Sequence, residues 1–194
     1  MTVNMILNQW ETQHLVVKDS ILDDLPEIDQ VATACAYIEE WSGWKSEPGS
    51  AKSMLHVLKG EELPPDGSKE FYRLQSLRLG DTGQLIGFLA MYHGFPTENI
   101  AWITYLFIHP DLQGKGYAQE LVCSLSDQLK NLGFTAVRLL VDVKNWPALR
   151  FWVQGGFNTI VEYQGDKIIS ENTFAHLILE KTLVTAVGAK HPVL

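Results

Sequence analysis

Residues 101–142 constrain the fold more than any other part of this sequence. The run AWITYLFI, residues 101–108, is rich in aromatic and β-branched side chains and is apolar on both faces, as in a central strand. FTAVRLLVDV, residues 134–143, is a second buried strand of the same kind. Between them, residues 116–132 carry the apolar stripe of an amphipathic helix, formed by Leu121, Val122, Leu125 and Leu129. A strand, a helix and a strand in succession predict two parallel neighbours in one sheet.

The remaining elements add antiparallel strands and further helices. HLVVKD (14–19) predicts a first strand, DDLPEIDQVATACAYIEEW (23–41) an amphipathic helix, and SAKSMLHVLKG (50–60) a second, short helix. FYRLQSLRL and QLIGFLAMY follow as two strands joined by the turn GDTG. After the strand–helix–strand unit, NWPALRFWVQ predicts a short helix, and FNTIVEY and FAHLILEKTL predict two strands joined by QGD.

These patterns predict an α/β fold of the α+β type. We expect a mixed, mainly antiparallel central sheet with helices on both faces. The chain of 194 residues is 46% hydrophobic, which is enough for one sizeable core. A single domain over residues 1–194 is expected, with its core over 14–182 and a loose tail over 183–194.

Composition excludes several classes of protein. The formal net charge of −8 leaves no basic stripe to neutralise phosphates, so nucleic acid is not an expected partner. The same charge suits a cationic amine substrate, or serves solubility alone. No apolar run approaches the roughly 20 residues of a membrane span, so no membrane partner is expected. The N-terminus lacks the features of a secretory signal, and a cytoplasmic protein is expected.

Cysteines and histidines give little sign of a reactive centre. Cys35 and Cys123 lie in helical patterns and are expected to be reduced core residues. His93 lies in the connection between two strands, where a solvated loop position is expected. No metal is expected, because the histidines are scattered without metal-ligand spacing, at His14, His56, His93, His109, His176 and His191.

The stretch IHPDLQGKGYAQEL, residues 108–121, points to a binding site. Gly114, Lys115 and Gly116 lie between the central strand and the start of the long helix. A helix start exposes unpaired N–H groups and carries about half a positive charge. A phosphate can reach those groups where side chains are missing, and Lys115 adds a cation. The loop therefore predicts an anion site suited to a diphosphate, with an ordinary tight connection as the alternative.

Two familiar nucleotide loops do not match this stretch. A dinucleotide fingerprint requires a third glycine where this sequence has Gln119, and a P-loop requires Ser or Thr where it has Gly116. The segment from Gln113 to Ala118 matches instead the pattern Gln/Arg-x-x-Gly-x-Gly/Ala. It resembles the coenzyme A diphosphate loop of the GNAT acetyltransferase superfamily.

The resemblance to this superfamily extends beyond the loop. LFIHPDLQGKGYAQELV resembles its strand–loop–helix motif, and NWPALRFWVQGGF resembles its second motif. The likeness covers residues 70–182 well and residues 14–60 by element order alone. It implies an N-acetyltransferase of GNAT-like fold, with acetyl-coenzyme A as co-substrate and a small-molecule or peptide amine as acceptor. A homodimer is an expected assembly.

The resemblance also implies which residues hold acetyl-coenzyme A. Backbone groups of Leu106 and Ile108 would pair with the pantetheine arm, and backbone N–H groups from Gln113 to Ala118 would hold the diphosphate. Asn145 would hydrogen-bond the arm near the thioester. The predicted coenzyme-binding residues are Leu106, Phe107, Ile108, Gln113, Gly114, Lys115, Gly116, Tyr117, Ala118, Asn145, Ala148, Phe151 and Trp152.

Two positions depart from the family pattern. Trp152 stands where many members have a proton-donating tyrosine, and an indole N–H is not an acid at neutral pH. Thr104 stands where several members have a glutamate that acts as a general base. Either the amine loses its proton through water and the thiolate leaves unassisted, or the chain is a catalytically silent coenzyme A sensor or scaffold of the same fold. Tyr105, beside an expected bulge, is the candidate catalytic residue for a proton relay, with core packing as its alternative role.

The end of the first helix is the predicted acceptor region. Glu39, Glu40, Trp41 and Trp44 lie where the family shapes its acceptor site. These residues are expected to form an aromatic and acidic pocket for an amine, or the two tryptophans simply pack in the core.

Overall fold

A single sheet of eight strands forms the centre of the part of the chain that the structure describes. The structure, a computed structural model, describes residues 6–43, 54–61, 63–168 and 170–183. The strands are β1 (Gln9–Glu11), β2 (Leu15–Asp19), β3 (Tyr72–Leu79), β4 (Leu85–His93), β5 (Ile100–Ile108), β6 (Ala136–Asp142), β7 (Thr159–Gly165) and β8 (Ala175–Thr182). Their order across the sheet is β1-β2-β3-β4-β5-β6-β8-β7. Neighbours are antiparallel except β5 and β6, which confirms the predicted mixed, mainly antiparallel sheet.

Five helices accompany this sheet in the described residues. They are α1 (Leu25–Ala34), α2 (Glu39–Ser42), α3 (Leu55–Leu58), α4 (Tyr117–Asn131) and α5 (Trp146–Gln154). The single helix predicted over residues 23–41 was wrong: the backbone leaves the α conformation at Cys35, where φ is −92° and ψ is 1°. Of the short helix predicted over residues 50–60, residues 50–53 lie outside the described residues. Strand β1 was not predicted, because three residues are too few to show a period.

The helices lie on both faces of the sheet, as predicted, and each face has its own core. One cluster joins the sheet to the α4 stripe of Leu121, Val122, Leu125 and Leu129, and it includes Ile6 and Trp10 near the N-terminus. The other joins the sheet to α1 and α3 through Ile28, Val31 and Val57. Leu106 packs against the first cluster and Phe107 against the second, so α1 and α4 cover opposite faces.

Two expectations about single residues were wrong. Cys123 is exposed rather than buried, although Cys35 is buried as expected. His93 is 4% exposed rather than solvated, because β4 extends as far as this residue and the rings of Phe71 and Phe134 cover it. Burial lowers the pKa of the His93 imidazole, and the charge of Arg73 lowers it further.

Strands β5 and β6 separate part way along their length. Their parallel pairing covers only Ile100–Ile103 of β5 and Ala136–Leu139 of β6, although both strands continue. A bulge in β5 coincides with the separation, since Ala90 lies opposite Tyr105 while Met91 lies opposite Ile103. Thr104 is the additional residue, and it shifts the alternation of faces by one. We call the V-shaped opening between residues 104–108 and residues 140–142 the fork.

Candidate active site

The β5 side of the fork carries backbone groups that no neighbouring strand pairs with, although the Ile108 carbonyl accepts from side chains. The N–H of His109 donates to the carbonyl of Ile86 on the β4 side, at 2.8 Å. Backbone groups of alternate residues point to the same side of a strand, so those of Phe107 face β4 and those of Leu106 and Ile108 face the fork. The described residues provide no strand partner there. An extended ligand can therefore add to β5 as a further strand would.

The loop that follows β5 is fastened to the strand end by Gln113. Its side-chain Nε2 donates to the carbonyl of Ile108 at 2.9 Å and lies 3.4 Å from the hydroxyl of Tyr37. Its backbone N–H donates to the carbonyl of Pro110 at 3.2 Å, within a short 3-10 turn. Gln113 thus orients the loop, and the backbone N–H groups left for a ligand begin at Gly114.

The glycines before α4 adopt a conformation that other residues reach only with strain. Gly114 has φ of +74° and Gly116, the N-cap of α4, has φ of +89°. A Cβ at either position would meet no protein atom within 4 Å, so the chain keeps open space beside both. The first hydrogen bond within α4 joins the Glu120 N–H to the Gly116 carbonyl, at 2.9 Å. The N–H groups of residues 117–119 therefore have no acceptor inside the helix, and the exposed Lys115 lies beside them.

The hairpin of β1 and β2 supports the first turn of α4. His14 donates its backbone N–H to Glu120 at 2.8 Å and places Nδ1 2.7 Å from the same carboxyl group. Its ring meets Tyr117 edge to face, at 6.2 Å between centroids. Burial tends to raise the pKa of Glu120, but hydrogen bonds from Thr12 and His14 outweigh it and the pKa lies below its ordinary value. These contacts hold the first turn of α4 against the β1–β2 hairpin.

Helix α5 brings the second sequence motif to the same core. Asn145 caps the helix, with its Oδ1 accepting from the Ala148 N–H at 3.1 Å, so its side-chain NH₂ keeps donors for a ligand. Ala148 and Phe151 pack, partly buried, against the cluster that also holds Leu106, Tyr117 and Ala118. Predicted residues from three parts of the chain therefore pack against one core cluster.

Trp152 lies mainly in the core. Its side chain is 8% exposed and meets Phe151 and Phe157 edge to face, at 4.8 and 5.1 Å between centroids. Packing is thus its evident structural role.

Tyr105 and Phe107 lie on the other face, towards α1. Their rings stack at 6.0 Å between centroids, and both pack against the cluster that includes Phe88. The bulge at Thr104 brings Tyr105 to this face, because without the extra residue it would share the face of Ile103. Tyr105 is half-buried and close to the fork, and its part in catalysis remains a prediction.

The predicted acceptor region is described only in part. Trp41 packs edge to face on Tyr37, at 5.7 Å between centroids, while Trp44 lies outside the described residues. The end of α2 lies against the loop before β8. Gly43 and the ring of Phe174 are so close that a Cβ at Gly43 would overlap the ring. Glu39 is half-buried and Glu40 is exposed at the start of α2.

One hydrogen-bonded pair of side chains, of a kind that can transfer protons, was not predicted from the sequence. Nδ1 of His176, at the start of β8, lies 2.7 Å from Oδ1 of Asp142, at the end of β6. The two residues are register partners across the strands. The available signal was a pair of polar residues four positions apart on each strand, Arg138 and Asp142 on β6 and His176 and Glu180 on β8. Arg138 and Glu180 form the other cross-strand pair.

The described residues fit an extended thioester ending in a diphosphate. They offer a strand edge at β5, a helix start without side chains at α4, and the side-chain amide donors of Asn145. Within the same residues no group of three or more potential ligands is placed to hold a metal ion. Two shallow depressions lie elsewhere, one beside Lys59 and Arg73 and one beside Cys123. Among the described helices, none combines the length and the apolar character needed to cross a membrane.

Comparison with known proteins supports this description. The model of the "Acetyltransferase (GNAT) family" matches residues 32–157. A GNAT-family protein of Chromobacterium violaceum has a similar fold, with a TM-score of 0.71 at 12% identity over 91% of this chain and 86% of that one. Spermidine N-acetyltransferase of Vibrio cholerae, solved with CoA and spermine, has a TM-score of 0.65 at 17% identity, over 87% of this chain and 95% of that one. A Salmonella typhimurium protein solved with its cofactor acetyl-CoA has a TM-score of 0.62 at 13% identity, over 91% of this chain and 98% of that one. No curated protein sequence matches this chain significantly.

Proposed function

Because the chain belongs to the acetyltransferase (GNAT) family, with acetyl-coenzyme A as co-substrate, we propose that it acetylates a primary amine. In this reaction the amine nitrogen attacks the thioester carbonyl directly, and coenzyme A leaves as the thiolate. Holding both reactants together replaces a bimolecular encounter with an oriented one, which is a large source of rate.

The free edge of β5 beside the bare start of α4 carries this proposal. Backbone groups of Leu106 and Ile108 would hold the pantetheine arm, since both face the fork. The N–H groups of residues 114 and 116–119 would hold the diphosphate, with Lys115 as an additional cation. Asn145, Ala148 and Phe151 would line the opposite side of the arm. These assignments differ from the predicted N–H groups of residues 113–118 in three ways. The Gln113 N–H is left out because it donates to Pro110, Lys115 acts through its side chain, and the Gln119 N–H is added.

Backbone donors supply the expected stabilisation of the transition state. The N–H of Leu106 faces the fork and would steady the oxyanion that forms when an amine adds to the thioester. Trp152 contributes packing rather than a proton. Departure of the thiolate needs little help, because a thiol has a pKa of about 8.5.

The acceptor is proposed to be a small cationic amine. One fold relative, solved with spermine, is a spermidine N-acetyltransferase, and another is described as a phosphinothricin N-acetyltransferase. Those names apply to the relatives. For this chain, the net charge of −8 and the carboxylates of Glu39 and Glu40 favour a cation.

Thiol release from acetyl-coenzyme A tests the proposal. The amine panel would contain spermidine, spermine, phosphinothricin and a lysine-containing peptide, with mass spectrometry to identify acetylated products. Titration calorimetry with coenzyme A reports binding separately. We expect micromolar binding and amine-dependent thiol release, and failure to bind coenzyme A would refute the assignment of the fork.

A silent coenzyme A sensor is the second candidate function. The observations that favour it are Thr104 and Trp152 at positions where the family pattern has acid–base groups. Such a protein would bind coenzyme A in the calorimeter and release no thiol with any amine of the panel.

Cellular setting and assembly are part of the proposal. Cys35 and Cys123 are both free thiols, which suits a reducing cytoplasm. A homodimer remains a prediction, and sedimentation equilibrium would measure it. The edge strand β7 is exposed along its whole length and is the surface to examine first.

A further inference from the structure

An imidazole and a carboxylate form a hydrogen-bonded pair at the fork, and neither has a role in the reaction as proposed above. His176 and Asp142 join through Nδ1 and Oδ1 at 2.7 Å, and both side chains are 16% exposed. Asp142 is the last residue of β6, so the pair lies beyond Leu139, where β6 has already separated from β5.

The pair lies on the face that also carries Tyr105. On β6, Leu139 and Val141 belong to the α4 cluster, so Leu140 and Asp142 point to the opposite face. Tyr105 and Phe107 point to that same face from β5. Leu140 is 48% exposed there, which shows that the face is open at the fork.

The loops next to the pair in the chain contact one another. Phe174, two residues before His176, packs against Gly43 at the end of α2. Lys144, two residues after Asp142, lies 4.1 Å from the centroid of the same ring and donates to the Glu171 carbonyl at 2.6 Å. Phe174 and Lys144 therefore connect the end of α2 with the loops that flank the pair.

We propose that His176 is the base that takes the proton from the acceptor amine, with Asp142 as its positioning residue. This inference rests on the proposed acetyl transfer. The Nδ1–H donates to Asp142, which leaves the lone pair of Nε2 to accept a proton. Burial raises the pKa of the Asp142 carboxyl, and the hydrogen bond and charge of His176 act in the opposite direction.

The proton and electron balance is simple. His176 Nε2 takes one proton from the substrate ammonium, and the freed nitrogen lone pair forms the C–N bond. The thioester C–S bond breaks, and its electron pair leaves with sulfur. The new amide nitrogen gives up a second proton, which reaches the thiolate or solvent. His176 then returns its own proton to solvent.

Charged groups on several neighbouring elements surround His176. Gln164 is its register partner on β7, and Glu162 accepts from Gln164 at 3.0 Å. Asp166 accepts from the Phe174 N–H at 2.9 Å. Among the described residues, Asp142 is the carboxylate within hydrogen-bond distance of the ring. The charged groups on its own and neighbouring elements are Arg138 and Asp142 on β6, Glu180 and Lys181 on β8, Glu162 on β7, Glu39 and Glu40 on α2, and Lys144, Asp166, Lys167 and Glu171 in the loops.

The neighbouring pair of Arg138 and Glu180 provides a matched control. It joins the same strands on the same face, also at 2.7 Å, and its side chains are 19% and 18% exposed. It lies level with Trp102, where β5 and β6 are still paired. Glu180→Gln therefore removes a cross-strand carboxylate as Asp142→Asn does, but away from the fork.

The test compares wild type, His176→Gln, Asp142→Asn and Glu180→Gln with the best amine of the panel, from about pH 6 to 9. We expect kcat/KM of His176→Gln to fall by about 100-fold or more near neutral pH, as for a lost general base. The loss should shrink as pH rises, because more amine is then free without a base. Asp142→Asn should lower kcat about tenfold or more with KM unchanged, and Glu180→Gln should stay near wild type. Coenzyme A affinity should be unchanged in all four proteins.

Each outcome decides one question. A loss in His176→Gln that is independent of pH, or no greater than in Glu180→Gln, overturns the base assignment. If His176→Gln does not fold, the kcat and pH profile of Asp142→Asn decide in its place. A wild-type protein that binds coenzyme A but acetylates nothing overturns the proposed function, and this inference with it.

Discussion

Replacing Gly116 by alanine separates binding from folding, because Gly133 provides a control with the same backbone cost. Gly116 has φ of +89° and Gly133 has φ of +91°. A Cβ at either residue would meet no protein atom within 4 Å. Each alanine should therefore cost only the strain of a left-handed residue, about 1–2 kcal/mol of unfolding free energy. For a chain of this size that corresponds to a drop in Tm of about 2–8 °C.

The two variants should differ in coenzyme binding. Gly116 begins α4 beside the free N–H groups, while Gly133 follows its other end, about 25 Å away at 1.5 Å per residue. In the proposed site, a methyl group at residue 116 would occupy space that a phosphate needs. Loss of one charge-assisted hydrogen bond, about 1.5–3 kcal/mol, weakens binding by about 10- to 150-fold.

Thermal unfolding without ligand and titration calorimetry with coenzyme A measure the two effects. We expect equal losses of Tm in Gly116→Ala and Gly133→Ala, and a raised Kd in Gly116→Ala alone. Equal Kd values for coenzyme A in the two folded variants would refute the reasoning. The glycine at residue 116 would then be needed only for the backbone turn and not for phosphate binding.

Four further predictions follow from the described geometry. Lys115→Ala should raise the Kd for coenzyme A by about fivefold or less in calorimetry, because an exposed ionic contact adds little to oriented N–H groups. Trp152→Phe should keep kcat within about threefold of wild type while lowering the unfolding free energy by about 2 kcal/mol in urea, since the indole is core packing. His93 has a lowered pKa, so its contribution to stability is present above about pH 6.5 and is lost as pH falls from there towards the folded-state pKa. The unfolding free energy measured in urea should therefore depend less on pH over that range in His93→Gln than in wild type. In thiol labelling of the native protein Cys123 should react quickly, whereas Cys35, whose pKa burial raises to about 11, should react only on unfolding.

The central unit could be predicted because its signals are local. The apolar run of β5 and the three- and four-residue spacing in α4 are visible within a few turns of chain. The glycines before α4 reveal a left-handed backbone that other residues avoid. The same spacing could have excluded Cys123 from the core, because it lies about 100° around the helix from the buried Val122.

Features that depend on long-range register could not be predicted. β5 is apolar on both faces, so its sequence contains no alternation that would reveal the extra residue Thr104. The α1 pattern continues past Ala34, although the backbone turns at Cys35. The pair of His176 and Asp142 joins residues 34 positions apart, and it forms only because β6 and β8 align in one particular register.

The short pairing of β5 with β6 also affects how cooperatively the molecule unfolds. Four residues on each strand are the whole strand contact between the five-strand and three-strand parts of the described sheet. An acetyl donor bound along β5 and against α5 would bridge these parts where the polypeptide does not. At 100 times its Kd it would add about 2.7 kcal/mol to the unfolding free energy. Amide exchange in β6 and β8 should then slow together with exchange in β4 and β5, because the reactant completes the framework that positions it.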